Sequence, residues 1–109
     1  MEWYRDFCLE FNDDQVLWDE NGWVQFRYLN EKQAYIVNIW IKPECRLTGG
    51  ASALADGVVE HAKAQGCTEL VGTVVPSAKS STASLKVLLG YGMRLDSSAN
   101  DLIMFKKEI

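Results

Sequence analysis

The segment whose residues are best suited to binding chemistry is Arg46–Ala51, which reads Arg-Leu-Thr-Gly-Gly-Ala. The apolar run Ala34–Ile41 precedes it and predicts a buried strand, whereas Ser52–Gln65 follows it and predicts a helix. The first amides of a helix have no partner within the helix, and the helix dipole places partial positive charge there. A strand, a glycine-containing turn and a helix start together predict an anion site.

Two glycines and one arginine make this segment compatible with a phosphate ligand. Gly49 and Gly50 let a ligand approach the backbone closely, and Arg46 adds a fixed charge suited to phosphate. The alternative is a glycine-rich turn that binds nothing. Neither of the commoner phosphate loops fits, because the segment lacks a Gly-Lys-Ser/Thr ending and no acidic residue ends a second strand of a Rossmann-like unit.

The segment and its surroundings resemble the acyl-CoA loop of the GNAT acetyltransferases. The signature of that family is Gln or Arg, two residues, Gly, one residue, and then Gly or Ala, which Arg46, Gly49 and Ala51 match. The preceding Ile39–Glu44 is similar to the family's apolar strand with its Pro-Glu ending. The resemblance extends over residues 33–109.

The resemblance implies an acetyl-CoA-dependent N-acetyltransferase that acts on an amine of a protein or a small molecule. In the family, loop amides bind the pyrophosphate of acetyl-CoA, and the pantetheine arm lies beside a strand, where two strands diverge. Diverging strands leave backbone groups unpaired, and the arm can satisfy them. The residues that the resemblance assigns to acetyl-CoA binding are Ile39, Trp40, Ile41, Arg46, Leu47, Thr48, Gly49, Gly50, Ala51, Ser52 and Ser81.

The family's usual catalytic side chains are not found at the matching positions. Leu88 replaces the tyrosine that assists the leaving group, Ser81 replaces an asparagine, and a carboxylate is missing near Pro76. One account is catalysis by positioning, with water as the proton relay. In a second account, other side chains supply the catalytic groups. In a third, the protein is inactive and binds CoA or serves as an interaction or assembly module. The remaining catalytic candidates are Tyr91, Tyr35 and Asn38.

The hydrophobic periodicity predicts one α+β domain, residues 1–109, with the element order α-β-β-β-α-β-α-β-β and a mixed sheet. The resemblance identifies this order as a GNAT-like fold with fewer N-terminal helices than usual. The predicted helices are 2–12, Ser52–Gln65 and Thr82–Tyr91. The predicted strands are Gln15–Asp19, Trp23–Leu29, Gln33–Ile41, Leu70–Val75, Met93–Leu95 and Leu102–Phe105.

Several side-chain orientations follow from the same patterns. The pair Asn21-Gly22 predicts a hairpin turn, because both residues tolerate a positive φ. The third strand is apolar on both sides and is therefore expected to be central. Strict alternation places Ala34, Ile36 and Trp40 on one side of it and Tyr35, Val37, Ile39 and Ile41 on the other. Asn38 interrupts the run and indicates either a bulge or a hydrogen-bonded core amide.

The helices also have predicted inward faces. One aromatic stripe of the first helix is expected to lie on the sheet, although a partner-binding helix is an alternative. This stripe consists of Trp3, Tyr4, Phe7, Cys8 and Phe11. The inward residues predicted for the other two helices are Leu54, Val58, Val59, Ala62, Leu85, Leu88 and Leu89.

Composition narrows the possible partners and the location. The net charge is -4 and no basic tract exists, which argues against nucleic acid. No apolar run approaches the roughly 20 residues that span a bilayer. Three cysteines without metal-ligand spacing predict reduced thiols in a cytoplasmic protein and no metal site. Cys45 is either a reactive thiol or a spectator beside the loop. The predicted partners are acetyl-CoA, an unidentified amine acceptor and, to complete the acceptor pocket, a second copy in a homodimer.

Overall fold

The structure is a computed structural model that describes residues 1–109. It contains three α-helices, one turn of 3-10 helix at Pro43–Cys45 and six strands, in the predicted order. The helices are α1 (Glu2–Asn12), α2 (Gly50–Ala64) and α3 (Ser81–Gly90). The strands are β1 (Gln15–Trp18), β2 (Gly22–Tyr28), β3 (Gln33–Ile41), β4 (Glu69–Val74), β5 (Arg94–Ala99) and β6 (Leu102–Glu108).

The strands form one mixed sheet with the order β1-β2-β3-β4-β6-β5. Strands β3 and β4 are parallel, and every other neighbouring pair is antiparallel. The parallel pair is connected through α2, because parallel strands need a crossover of this length. Strand β3 lies inside the sheet, as its apolar sequence predicts, and the mixed α+β fold is confirmed.

Helices α2 and α3 cover one face of the sheet, and α1 lies on the other. Leu54, Val58 and Ala62 of α2 are buried, as predicted, against Phe26 and Leu70 of the sheet. Burial of such side chains stabilises the fold by about 1.5–3 kcal/mol each. From α3, Leu85 and Leu88 pack against this core. The prediction that Leu89 also faces inward is wrong, because its side chain is exposed.

The hairpin between β1 and β2 forms as predicted, but its turn has a different conformation. Neither Asn21 nor Gly22 has a positive φ. The Asp19 carboxylate instead accepts hydrogen bonds from the Asn21 and Gly22 amides, at 2.7 Å and 3.1 Å. Gly22 is required for another reason: a Cβ atom there would lie 2.0 Å from the Trp40 carbonyl oxygen of β3. The glycine therefore permits close approach of two strands.

A bulge in β3 reverses the predicted alternation of its second half. Gln25 is opposite Asn38, whereas the next residue of β2, Phe26, is opposite Ile36, so that Val37 has no partner. One extra residue moves all later side chains to the opposite face. Of the two alternatives for Asn38, the structure shows a bulge beside it. The residues of β3 that face α2 are therefore Ala34, Ile36, Ile39 and Ile41, and those that face the opposite side are Tyr35, Asn38 and Trp40.

The orientation predicted for α1 is wrong for three of its five stripe residues. Cys8 is buried and Tyr4 is half-buried against the sheet. Trp3, Phe7 and Phe11 are exposed. A helix that lies on a sheet buries a narrower stripe than these five residues form. The ring of Tyr4 packs on Trp23, with centroids 5.2 Å apart, and this contact determines that the Tyr4 and Cys8 side of the stripe is the buried one.

Several predicted boundaries also change. Helix α2 begins at Gly50, two residues early, because Gly49 supplies the left-handed residue before it. Strand β5 extends to Ala99 although all its residues are exposed, because pairing with β6 rather than burial stabilises it. No helix of the structure is long and apolar enough to cross a bilayer. No group of three or more His, Cys, Asp or Glu side chains converges on a metal-sized site.

Candidate functional site

Strands β3 and β4 separate after a short paired region and leave a gap in the middle of the sheet. They pair only through Gln33 with Glu69, Ala34 with Leu70 and Tyr35 with Val71. Beyond these pairs, β3 is bonded only to β2, and β4 only to β6. The bulge in β3 bends that strand. The divergence that the family resemblance implies is therefore present, and it leaves one edge of β3 without a strand partner.

The gap opens into an apolar cleft on the face covered by α2 and α3. The cleft is narrow and partly open to solvent, with a cavity of about 20 Å³, and it is lined almost wholly by hydrophobic side chains. Its lining comes from β3, the first turns of α2, the end of α3 and the residue before β5. The lining residues are Ile36, Ile39, Ala51, Ser52, Ala55, Val87, Leu88, Tyr91 and Met93.

The start of α2, at one end of this cleft, carries unpaired backbone amides. Along the chain from Leu47, the first backbone amide that donates to another atom of the protein is that of Ala53, which bonds to the Gly49 carbonyl oxygen at 3.1 Å. None of the six amides of residues 47–52 donates to a protein acceptor, and no side chain caps the helix. A Cβ atom at Gly49 would meet nothing within 4 Å. The helix start is therefore open to an anionic ligand from solvent.

The loop before α2 has a strained backbone. Leu47 has a φ of 63°, in the left-handed region, and its side chain is wholly exposed. This conformation costs a branched residue about 1–2 kcal/mol, and the exposed side chain offsets none of it. Gly49 is left-handed as well, with a φ of 86°. Left-handed residues within a turn are typical of backbone concavities that bind anions.

Arg46 directly follows the 3-10 turn and directly precedes the unpaired amides. Its Nε donates to the Ile41 carbonyl oxygen at 2.9 Å. This bond fixes the direction of the guanidinium and leaves its two terminal amino groups without a protein acceptor. The pairing of Arg46 with a ligand phosphate stays a prediction, and the side chain is free to make it.

The other residues assigned to ligand binding are distributed unevenly around the cleft. Ile39, Ala51 and Ser52 line it. Trp40 faces the opposite side of the sheet and can contribute only its backbone. Ser81, in the first turn of α3, is not among the lining residues. The resemblance assigned consecutive residues of β3 to the site because they are neighbours in the chain. Consecutive side chains of a strand point to opposite faces of the sheet, so only some of them reach the cleft.

Tyr91, one of the catalytic candidates, lines the cleft together with Leu88. Its phenol donates to Asp56 Oδ1 at 2.6 Å, and the Lys107 amino group lies 4.2 Å from the centre of its ring. Burial and, after it, the neighbouring Asp56 carboxylate raise the pKa of Tyr91 far above its usual value. The phenol therefore stays protonated near neutral pH. Neither Asp56 nor Lys107 could be recognised from the sequence, because both are charged residues in ordinary solvent-facing patterns.

Tyr35 and Asn38, the other two candidates, lie on the face opposite Tyr91. The Tyr35 hydroxyl and Thr73 Oγ1 are 2.8 Å apart, which connects β3 and β4 at the base of the gap. The Asn38 amide donates to Gln25 Oε1 at 3.4 Å. The structure therefore does not bring the three candidates into one catalytic cluster. It places Tyr91 on the cleft side of the gap and the other two on the α1 side.

Cys45, beside the loop, is the accessible thiol of the chain. It is half-buried, whereas Cys8 and Cys67 are buried, and burial raises the pKa of Cys67. Because a thiol must be exposed and ionised to react, we expect Ellman's reagent to modify one thiol at least about tenfold faster than the other two in the native protein. Mass spectrometry of the modified peptide identifies the thiol. Fast modification that persists in Cys45→Ser would contradict this assignment.

The sequence profile of the Acetyltransferase (GNAT) family matches residues 2–91. This chain belongs to the GNAT acetyltransferase family. The match confirms the resemblance drawn from the loop and its flanking elements, and it includes α1. No sequence among curated proteins is similar enough to this GNAT chain to count as a match.

Crystal structures of other acetyltransferases have the same fold. A GNAT family acetyltransferase from Elizabethkingia anophelis with acetyl-CoA bound is 17% identical, with a TM-score of 0.72 over 100% of this chain and 84% of that one. The PaiA N-acetyltransferase of Thermoplasma acidophilum in complex with coenzyme A is 13% identical, with a TM-score of 0.76 over 97% and 68%. A Bacillus subtilis acetyltransferase in complex with CoA is 17% identical, with a TM-score of 0.70 over 96% and 84%.

Proposed function

We propose that this GNAT protein transfers an acetyl group from acetyl-CoA to an amine of a protein or a small molecule. The observation that carries the proposal is the gap between β3 and β4, which leads to six unpaired amides at residues 47–52. Related acetyltransferases of the same fold have been crystallised with acetyl-CoA or CoA. Three free cysteines, two of them buried, suit a reducing compartment, and we propose the cytoplasm.

Each part of the cleft has a role in binding the co-substrate. The amides at the start of α2 and the free amino groups of Arg46 bind the diphosphate. The unpartnered edge of Ile36–Ile41 exchanges backbone hydrogen bonds with the pantetheine arm, as an added strand would. The apolar side chains of Ile39 and Leu88 exclude water around the thioester, which strengthens the electrostatic interactions there.

The transfer requires an amine on the other side of the gap. The neutral amine nitrogen attacks the thioester carbon, the carbon–sulfur bond breaks, and an amide forms while CoA leaves as a thiolate. The amine gives its proton to water, and the thiolate takes one up. Of the three candidates, Tyr91 alone lines the cleft, but its phenol proton is donated to Asp56 Oδ1, so we assign Tyr91 to positioning the thioester and water to protonating the thiolate. Positioning of the two reactants across the gap supplies the rest of the acceleration.

Acetyl-CoA binding and turnover test the proposal separately. A ligand at a hundredfold excess over its Kd stabilises a protein by about 2.7 kcal/mol, so acetyl-CoA is expected to raise the Tm by about 10 °C. Free CoA, measured with a thiol reagent after the protein is removed, is expected to accumulate only when an amine acceptor is present. An unchanged Tm would contradict the binding site. A raised Tm without CoA release from any amine tested would contradict the transfer.

A further inference from the structure

Helix α1 presents three parallel stripes, and only one of them contacts the sheet. In that stripe, Cys8 is buried, and the Tyr4 hydroxyl donates to Gln25 Oε1 at 3.0 Å. The second stripe, called here the α1 aromatic patch, consists of Trp3, Phe7 and Phe11. The third consists of Glu2, Asp6 and Glu10. The patch therefore lies between the sheet and a row of carboxylates.

The α1 aromatic patch leaves three large aromatic side chains of one helix exposed to solvent. The exposed fractions are 90% for Trp3, 53% for Phe7 and 67% for Phe11. The rings of Phe7 and Phe11 contact each other, with centroids 5.1 Å apart. Contiguous exposed aromatic side chains mark interaction sites, and tryptophan is among the residues enriched at interface anchors.

The charges beside the patch favour a cationic partner. Glu10 and Asp13 are exposed, make no ion pair and lie near Phe7 and Phe11. The last turn of α1 contains no basic residue, so the partial negative charge of its carbonyl end is also uncompensated. Aromatic faces and carboxylates both attract ammonium and guanidinium groups.

The charges at the other end of the helix are already paired. Arg5 Nε lies 3.1 Å from Asp6, and the same guanidinium stacks 5.6 Å from the ring centre of Trp18. The Glu2 carboxylate lies 3.5 Å from the N-terminal amine. The free negative charge is therefore concentrated at the C-terminal half of the patch, where a positively charged segment would be attracted most strongly.

The patch lies on the same side of the sheet as the acceptor side of the gap. Gln25 Oε1 of β2 accepts hydrogen bonds both from Tyr4 of α1 and from Asn38 of β3, so one side chain links α1 to the strand that borders the gap. Trp40, which is paired with Trp23 beneath α1, is exposed on this face. The co-substrate cleft lies on the opposite face. A molecule bound to the patch therefore approaches the gap from the side that the cleft leaves free.

We propose that the α1 aromatic patch binds a lysine-containing polypeptide segment and presents one of its lysines to the gap between β3 and β4. The inference rests on the proposed function and names its acceptor class. The patch extends about 12 Å along α1, from Trp3 to Phe11. A small amine is shorter than the patch, whereas a polypeptide segment can occupy its whole length and extend beyond it. An extended segment, at roughly 3.3 Å per residue, covers the patch with about four residues and continues to the gap.

Two synthetic peptides of about twelve residues test this inference, because an extended peptide of about 40 Å exceeds the longest dimension of the domain, 36 Å. One repeats Lys-Gly-Leu, and the other repeats Glu-Gly-Leu. The variant Phe7→Ser/Phe11→Ser removes two exposed rings, and Leu89→Ser/Leu95→Ser makes the same change on exposed sites of α3 and β5. We expect the lysine peptide to bind the intact protein at least about tenfold more tightly than the Phe7→Ser/Phe11→Ser variant, because that variant lacks the aromatic anchors.

The control variant should bind the lysine peptide as the unmodified protein does, and the glutamate peptide should not bind. In acetyl transfer, Phe7→Ser/Phe11→Ser should raise the KM for the lysine peptide by about tenfold and change kcat less than about twofold. Equal KM values in both double variants would overturn the inference. So would self-association in sedimentation velocity that Phe7→Ser/Phe11→Ser abolishes, because the patch would then join two copies.

Acetyl-CoA binding, measured on the same samples, separates this inference from the proposed function. If acetyl-CoA fails to bind the unmodified protein, the proposed function is contradicted, whatever the peptide does. If acetyl-CoA binds and the lysine peptide does not distinguish the two double variants, only the docking inference is contradicted.

Discussion

Ser52→Glu is expected to weaken acetyl-CoA binding by about thirtyfold, a loss of about 2 kcal/mol, and to leave the fold at least as stable. Ser52 is exposed in the first turn of α2, where the backbone amides are unpaired. A carboxylate there competes for these amides and repels the diphosphate, since two unit charges about 4 Å apart interact with about 1–4 kcal/mol near a protein surface. The same carboxylate interacts favourably with the helix dipole, by about 0.3–1 kcal/mol.

The opposite signs of these two effects make the variant informative. General damage lowers affinity and stability together, whereas a blocked anion site lowers affinity alone. Gln65→Glu, at the exposed C-terminal end of the same helix, adds the same charge roughly 20 Å away and is expected to bind acetyl-CoA normally. Calorimetric titration gives the Kd, and urea unfolding gives the stability. Unchanged affinity in Ser52→Glu would contradict the assignment of the start of α2 as the diphosphate site.

Gly22→Ala is expected to lower the free energy of unfolding by about 2–4 kcal/mol, although it adds a single methyl group. The new Cβ would lie 2.0 Å from the Trp40 carbonyl oxygen and 2.9 Å from the Ile41 Cα atom. Both atoms belong to the backbone, so no side-chain rotation relieves the overlap. The strands β2 and β3 must separate, and the hydrogen bond from the Lys42 amide to the Asn21 carbonyl, 2.8 Å long, is expected to weaken with them.

The separation would also reach the ligand site, because β3 leads directly into the loop that precedes α2. Urea unfolding followed by circular dichroism measures the loss of stability. The matched control is Gly90→Ala at the end of α3, where a Cβ meets nothing within 4 Å and φ is not positive. That change is expected to stabilise the protein by about 0.4–1 kcal/mol through the unfolded state. Similar stabilities of the two variants would contradict the close approach of Gly22 to β3.

The order of elements and the anion loop could be predicted from the sequence because both are local. Hydrophobic periods of 3.6 and 2 distinguish the α2 helix from the β3 strand over a few residues. The unpaired amides at 47–52 follow from Gly49, which provides the left-handed turn, and from the lack of a capping side chain within the segment. The family resemblance depends on local patterns of the same kind, namely Arg46, Gly49 and Ala51 in the loop together with the order and spacing of the elements that flank it.

The tertiary structure alone decided which side chains share a face and which residues face each other across the gap. The bulge at Val37 depends on the register between β2 and β3, and it moves Ile39 to the cleft and Asn38 to the opposite face. The contact between Tyr91 and Asp56 connects α3 to α2, which are distant in the chain. These features arise from pairings between distant segments, and the pattern of one segment carries no information about the register of its partner.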